Sequence, residues 1–374
     1  MHSRSRHSTL RFAGVIGVFV AALLVTALAW GPQAATLLFL GTSAYAYGRT
    51  VTCSMGVSLT MLDIAKLNGT DKTVGLIEEN LRYAPELERF PMRTIRGTSY
   101  KTGIRTGLPT TGFRAANEGQ TPSKSTFAQR LIEAYIFGGQ IEVDKAVADA
   151  HEDGAEVLQA LEAVGVMKSA MQNLGKQIWY GTTQDAKGFP GVKAATTFGG
   201  TTAAGDALTI NATGTTALTA SSVYAVKFGE QDAQLIGGNN KAWQLDDFTI
   251  QQITAGNGGK LTAYVAGLTG WIGLQIGNEN CVRRICNLTA ETGKGLTDLL
   301  LADLFATFPV GFRPDAVFAS RRSVSQLQKS RTVVLQGQGT LRPDQPTLAP
   351  RPTSYDGVPI IESDSILNTD AIEV

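Results

Sequence analysis

Apolar residues recur in steps of three and four along Val157, Leu161, Val164, Met167, Met171, Leu174 and Ile178. That spacing puts them on one face of a helix of roughly 26 residues, about 39 Å long, within Asp149 to Gly181. Glu152 and Asp153 supply acids near its start, where the helix dipole favours them, and Gly181 is the natural stop. Gly165 and Gly175 each lower the intrinsic stability by about 1 kcal/mol relative to Ala, so packing along the stripe has to hold this helix.

Upstream, Leu59 to Leu81 carries amphipathic spacing broken at Asn68 and Gly69, which predicts one or two short helices. Pro85 and Pro91 then stop helix formation. From Met92 to Phe127 the chain turns to Thr, Gly, Arg and Lys, with only Ile95, Tyr100, Ile104, Leu108 and Phe113 as scattered large apolar residues. Too sparse to bury a core, the stretch predicts a long, mostly polar two-stranded hairpin returning through Leu131 to Val143. Two strands with polar faces do not offset the entropy of ordering them, so this hairpin needs a surface, its own or another subunit's.

Beyond the long helix, Gly188 to about Thr289 alternates apolar and polar residues between Gly and Asn turns and predicts strands. Helical spacing returns in Gly295 to Phe308, with Thr297 or Asp298 near the start. Asp315 to Ser320 reads as a buried strand, Ser323 to Arg331 as a short helix and Gly357 to Ile366 as a strand. Between the last two, Gln336 to Tyr355 holds four prolines and predicts a mobile loop. The fold class is α+β.

The N-terminus stands apart. Ala13 to Trp30 is an 18-residue apolar run behind Arg4, Arg6 and Arg11, long enough for a membrane span and shaped like a secretory signal. At Met55 the composition changes abruptly to amphipathic and charged. Residues 1–54 are therefore read as a mis-assigned start, or as a signal or transmembrane-like segment.

Charge divides along the same line. The chain carries 33 basic and 32 acidic residues, a net charge of +1, but the first 54 residues hold four arginines and no acid. The rest has 29 basic against 32 acidic, a net charge of −3, which disfavours sequence-independent DNA binding through a general basic excess.

Candidate chemistry is thin. His151 is the only histidine beyond the extension; solvation or capping at the helix start is the expected role, since a general base needs an orienting partner and a nucleophile in reach. Two further histidines, both in the extension, do not make a metal site. The segment AETGKGLT lacks the glycine a phosphate loop needs, because Leu288 stands five residues before Gly293. Asp246 and Asp247 are adjacent on an expected strand, pointing to opposite faces and forming no acid/base pair. Cys281 and Cys286, an odd number of positions apart, do not pair within one strand, and Cys53 lies in the extension. Asn68, Asn211 and Asn287 fit the N-x-[ST] pattern, which matters only where a compartment glycosylates. No catalytic, cofactor or metal residue is assigned. What remains suits contact between copies of one chain.

The order and wording of several segments resemble the tailed-bacteriophage major capsid proteins with the Hong Kong 97-like fold. They are GTSYKTGIRTGLPTTGFRAANEG with SKSTF, EVDKAVADAHEDG, WYGTTQDAKGFPG, KGLTDLLLADLFATFPVGFRPDAVFASRRSVSQLQ and GVPIIESDSILNTDA, and they span nearly all of residues 55–374. The resemblance implies an N-terminal arm at 55–91, an extended loop at 92–137, the spine helix of a peripheral domain at 138–190, and an axial domain with the remaining peripheral strands at 191–374. It also implies self-assembly into pentamers and hexamers of an icosahedral head enclosing double-stranded DNA, in the bacterial host cytoplasm. A separate scaffolding protein and a portal would be its partners, and no cofactor or small-molecule substrate is implied. In such a shell the extended loop lies on a neighbouring subunit, so Arg93, Arg96, Lys101, Arg105, Arg114 and Lys124 are the expected inter-subunit contacts. Some members join subunits through a Lys–Asn amide, for which Lys101, Lys124 and Asn368 are the available groups. An encapsulin-like compartment and a secreted or membrane-anchored β-rich surface protein are the alternative readings.

Overall fold

The structure is a computed structural model that describes residues 59–68, 78–80, 82–193, 207–241, 243–255, 258–337 and 348–373. The N-terminal extension and much of the predicted second short helix lie outside these residues. By contacts the chain divides into two units. One comprises Met1–Ser58 with Thr254–Lys260, described only at a turn in which the Ala255 amide donates to the Gly259 carbonyl (2.7 Å). The other, Leu59–Ile253 with Leu261–Val374, holds the elements that follow.

In chain order the helices are α1 (Met61–Leu67), α2 (Glu86–Arg89), α3 (Lys145–Ala148), α4 (Ala155–Tyr180), α5 (Asp298–Ala306) and α6 (Arg321–Gly337). The strands are β1 (Met92–Thr94), β2 (Ser99–Gly107), β3 (Thr126–Glu133), β4 (Tyr135–Asp144), β5 (Thr209–Asn211), β6 (Ser221–Val226), β7 (Ala233–Gly237) and β8 (Trp243–Leu245). They continue with β9 (Thr249–Thr254), β10 (Lys260–Ile276), β11 (Val282–Leu288), β12 (Ala316–Ala319), β13 (Ser354–Tyr355) and β14 (Val358–Glu362). One six-stranded sheet runs β1-β7-β10-β4, with β8 and β9 also on β10. A second, mixed sheet runs β13-β14-β12-β6-β11-β5, and among the described residues β2 and β3 pair only with each other.

The second sheet is covered on both faces, which is why β6 (SSVYAV), β11 (VRRICNL) and β12 (AVFA) are buried at every position. Tyr224, Val226 and Phe318 face the end of α4, where Trp179 stacks on Tyr224 at 4.6 Å. Val223, Ala225, Ile285 and Val317 face Leu301 and Leu304 of α5 and Val324 and Leu327 of α6. α5 begins at a Thr297 cap whose side chain accepts from the Leu300 amide.

Several expectations need correction. α4 has the expected 26 residues, but its cap is Gly154, and the acids before it lie in a separate turn after α3. The apolar stripe is not buried along its length. Val157, Val164 and Met171 are 44, 50 and 43 % exposed, while the last turns, from Leu174 to Tyr180, are buried almost all round. Only that end is enclosed by the second sheet and by Phe90 and Phe189. His151 is buried instead of solvated, its Nδ1 accepting from the Asp153 amide (3.2 Å). Gly181 ends the helix at φ +53°, and a Cβ there would lie 1.9 Å from the Gly191 nitrogen.

The free hairpin is shorter than predicted. Met92–Thr94 pairs in parallel with β7, and Tyr135–Asp144 pairs with β10, since the apolar positions of β4 have a partner strand there. Asp246 and Asp247 lie between β8 and β9, not on a strand. Cys281 closes a 3-10 turn before β11, so the two cysteines do not share one strand. α6 is longer than expected and takes up the start of the proline-rich segment. The described end of that segment is pinned: the Gln328 side chain donates to the Ala349 carbonyl (2.6 Å) and the Ala349 amide donates to Thr332 (2.8 Å).

Candidate assembly surface

The hairpin runs from Ser99↔Glu133 to Gly107↔Thr126 and alternates as a strand pair must. On β2, Tyr100, Thr102 and Ile104 are half-buried, and on β3 Ile132 is buried at the base. Lys101, Gly103 and Arg105 take the outer face together with Phe127 and Leu131, which are 67 and 50 % exposed. Arg105 lies 5.4 Å from the centre of the Phe127 ring, and Arg93 lies 5.0 Å from that of Tyr100.

Beyond the strands, residues 108–124 are exposed, including Leu108 and Phe113. This tip is organised by local hydrogen bonds. Arg114 Nη1 donates to the Glu118 carbonyl (3.0 Å), the Ala115 amide donates to Glu118 Oε2 (3.0 Å), and Ser123 bonds both backbone groups of Thr110 (2.8 and 3.1 Å). An ordered, wholly exposed tip carrying a bare phenylalanine is built for contact with something outside this subunit.

All six basic residues singled out in the sequence are exposed. Arg93 is on β1, Arg96 between β1 and β2, Lys101 and Arg105 on the outer face of β2, and Arg114 and Lys124 at the tip. From Met92 to Glu133 there are seven basic and two acidic residues, a net charge of +5. From Glu142 to Glu162 there are seven acidic residues and one lysine, a net charge of −6, and Asp149, Glu152, Asp153 and Glu156 of this stretch are exposed. The exposed Val157 and Val164 of α4 lie beside those acids. Towards the other end of the helix, a cleft of about 520 Å³ is lined by Tyr83, Leu87, Met92, Met171, Leu174 and Trp243.

Two buried polar sites tie remote segments of the chain together, and sequence reasoning missed both. Glu86 of α2 is wholly buried and accepts from Trp179 Nε1 (2.7 Å), Ser363 and Ser365. Burial raises its carboxyl above the ordinary range, and the three donors only partly offset this. Arg284 of β11 is paired through both nitrogens to Glu373 (2.6 and 2.7 Å), and Lys193 reaches Glu373 (3.0 Å) and Asp370 (3.4 Å). Burial alone would raise Glu373, but the bonds and charge of Arg284 outweigh it and hold the carboxyl down. Asn287 completes the clamp, accepting from the Glu373 amide (2.9 Å) and donating to its carbonyl (2.7 Å). The one legible trace is a VRRICNL run whose arginines are flanked by strand residues.

Lys101 and Lys124 are on the hairpin, whereas Asn368 is half-buried and accepts from Ser320 Oγ (2.8 Å). Among the described residues no group of three or more His, Cys, Asp or Glu is placed to hold a metal ion, and no helix is long and apolar enough to cross a membrane.

A long helix buried at one end, two sheets and a projecting hairpin are the parts of the Hong Kong 97-like fold, which defines a class of phage shell proteins. A chain of bacteriophage Epsilon15 superposes with a TM-score of 0.63 at 19% identity, over 84% of this chain and 97% of that one. The bacteriophage JBD30 capsid gives 0.43 at 11% identity over 82 and 99%. The family model of the major capsid protein GP7 matches residues 87–373, so this chain belongs to that family and is a phage coat protein of the virion. Comparison with curated proteins gives no match.

Proposed function

We propose that the chain assembles as pentamers and hexamers into a closed icosahedral head around double-stranded DNA, and that its hairpin is the arm that ties each subunit to the next. The observation that supports this most is the hairpin itself, a two-stranded sheet with exposed outer face and exposed tip; with the β1 segment that leads into it, it belongs to a stretch carrying +5 against the −6 of the region around the start of α4. Arg93, Arg96, Lys101, Arg105, Arg114 and Lys124 are the contact residues of that arm, each exposed pair contributing little and many copies acting together. In this reading residues 55–91 form an N-terminal arm, 92–137 the extended loop, 138–190 the spine-helix part of a peripheral domain, and 191–374 the axial domain with the remaining peripheral strands. Assembly takes place in the host cytoplasm with a separate scaffolding protein and a portal, and the DNA is held by confinement without sequence-specific contacts.

Negative-stain electron microscopy of the full chain and of the chain expressed from Met55 tests this. Closed particles of one size from the shorter chain are expected. Monomers alone, with or without a co-expressed scaffold, would refute self-assembly through this surface.

A further inference from the structure

We infer that Arg130 is the joint that fixes the angle at which the hairpin leaves the body, and that this angle sets the curvature of the shell; the second half rests on the assembly role proposed above. Among the described residues, β2 and β3 hydrogen-bond as strands only to each other. At the base, the arm packs through a small cluster of Ile95, Ile132 and Ile236 with Tyr100 against it. Backbone bonds tie the chain before β2 to the body there, the Ile95 amide donating to the Gly237 carbonyl (2.8 Å) and the Asn239 amide to that of Gly97 (2.8 Å). A two-stranded arm held in this way at its base can still swing beyond it, because such a base resists separation more than rotation.

Arg130 removes that freedom. It sits opposite Thr102 on β3, its side chain 15 % exposed, and reaches back to the body. Nη1 donates to the Ile276 carbonyl (2.7 Å) and more weakly to that of Gly277 (3.4 Å), and Nη2 pairs with Glu279 (3.3 Å). A planar guanidinium meeting acceptors in more than one direction fixes orientation as well as distance. Alongside, the Tyr100 hydroxyl donates to Gln275, whose own amide donates to the Glu230 carbonyl (2.7 Å). Both stays thus land at the end of β10, a strand held in the six-stranded sheet.

There is room to swing. A polar cleft of about 870 Å³ separates the arm, at Thr102 and Ile104, from the body at Glu230, Asp232 and Asn280. Nine residues of strand make a lever of about 30 Å, so about 10° at the base moves the far end by about 5 Å. Displacements of that size change the angle between neighbouring subunits.

The test compares the full chain with Arg130→Ala, Arg130→Lys and Glu279→Ala, reading hydrogen exchange of β2 and β3 in unassembled subunits and particle diameter by electron microscopy. Arg130→Ala is expected to speed exchange at the hairpin base about tenfold, as loss of charge-assisted bonds implies, and to spread particles over several diameters. Arg130→Lys, which keeps the charge but not the fork, falls between. Unchanged exchange in a folded Arg130→Ala protein overturns the joint. Faster exchange with a single wild-type diameter overturns the link to curvature. If Arg130→Ala does not fold, Glu279→Ala decides, since that carboxylate is half-exposed and outside the core. A wild type that forms no closed particle refutes the assembly reading and with it the link to curvature, while exchange still decides the joint.

Discussion

Glu86 sits where three distant segments meet, accepting from Trp179 at the end of α4 and from Ser363 and Ser365 after β14, with burial as the dominant influence on its carboxyl. Because its folded pKa lies above the unfolded one, the stability contributed by the neutral form is full below the ordinary glutamate range and is lost as pH rises through the folded value. Glu86→Gln removes that loss. Thermal midpoints measured against pH should therefore show the variant gaining on the wild type as pH rises above the glutamate range, whereas parallel curves would mean Glu86 is not a buried acid. Glu373 works in the opposite sense. It neutralises Arg284, whose side chain is 1 % exposed, so Glu373→Ala leaves a buried guanidinium short of its partner and should cost about 3 kcal/mol in urea unfolding. A loss below about 1 kcal/mol would show that Lys193 and Asp370 hold the C-terminal segment alone. Burial pushes the thiols of Cys281 and Cys286 up to about 12 and about 11, so neither should react with maleimide in the folded protein.

Among the elements, α4 shows how one sequence pattern serves two purposes. Its glycines read alike in the sequence, but a Cβ on Gly175 would lie 2.5 Å from Ser365 Oγ and 2.8 Å from the Ala84 Cβ, while one on Gly165 meets nothing within 4 Å. Gly175→Ala should destabilise by about 1 to 3 kcal/mol through overpacking, despite the better helix former. Gly165→Ala should stabilise by up to about 1 kcal/mol. Thermal unfolding of both variants checks the pair, and equal shifts would contradict the packing described. The stripe Val157, Val164 and Met171 was legible as a stripe but not as exposed, since steps of three and four look the same whether the partner is the chain's own sheet or something outside it. The hairpin was legible from its sparse apolar residues. Its ends were not, because Tyr135 to Asp144 alternates equally well as the end of a free hairpin or as a neighbour of the distant β10.

At the scale of the whole molecule, charge separation outweighs net charge. A subunit close to neutral overall carries a basic arm and an acidic region at the start of its long helix. Reversing Arg105 and Arg114 to Glu should abolish particle formation while leaving the thermal midpoint nearly unchanged, since both side chains are exposed. Adding Glu152→Lys and Glu156→Lys to that variant should restore particles if these surfaces meet, and sedimentation reads both results. Failure of the combined variant to assemble would place the contact elsewhere. Assembly of the wild type should also weaken as salt rises, because exposed charges are screened over about 10 Å at about 0.1 M.

The sequence by itself determined the α+β class, the length of the long helix, the strand-forming second half with the buried strand at Asp315 to Ser320, the polar hairpin and the family resemblance. These are local periodicities and ordered motifs, and each is written in neighbouring residues. Only the tertiary structure decided which end of α4 is enclosed, where the hairpin leaves the sheet, that Glu86 and Arg284 are buried among donors and acceptors from remote segments, and that Arg130 braces the arm. Those facts depend on which distant surfaces meet, and the energy that fixes them comes from contacts between residues far apart in the chain, which no local spacing encodes.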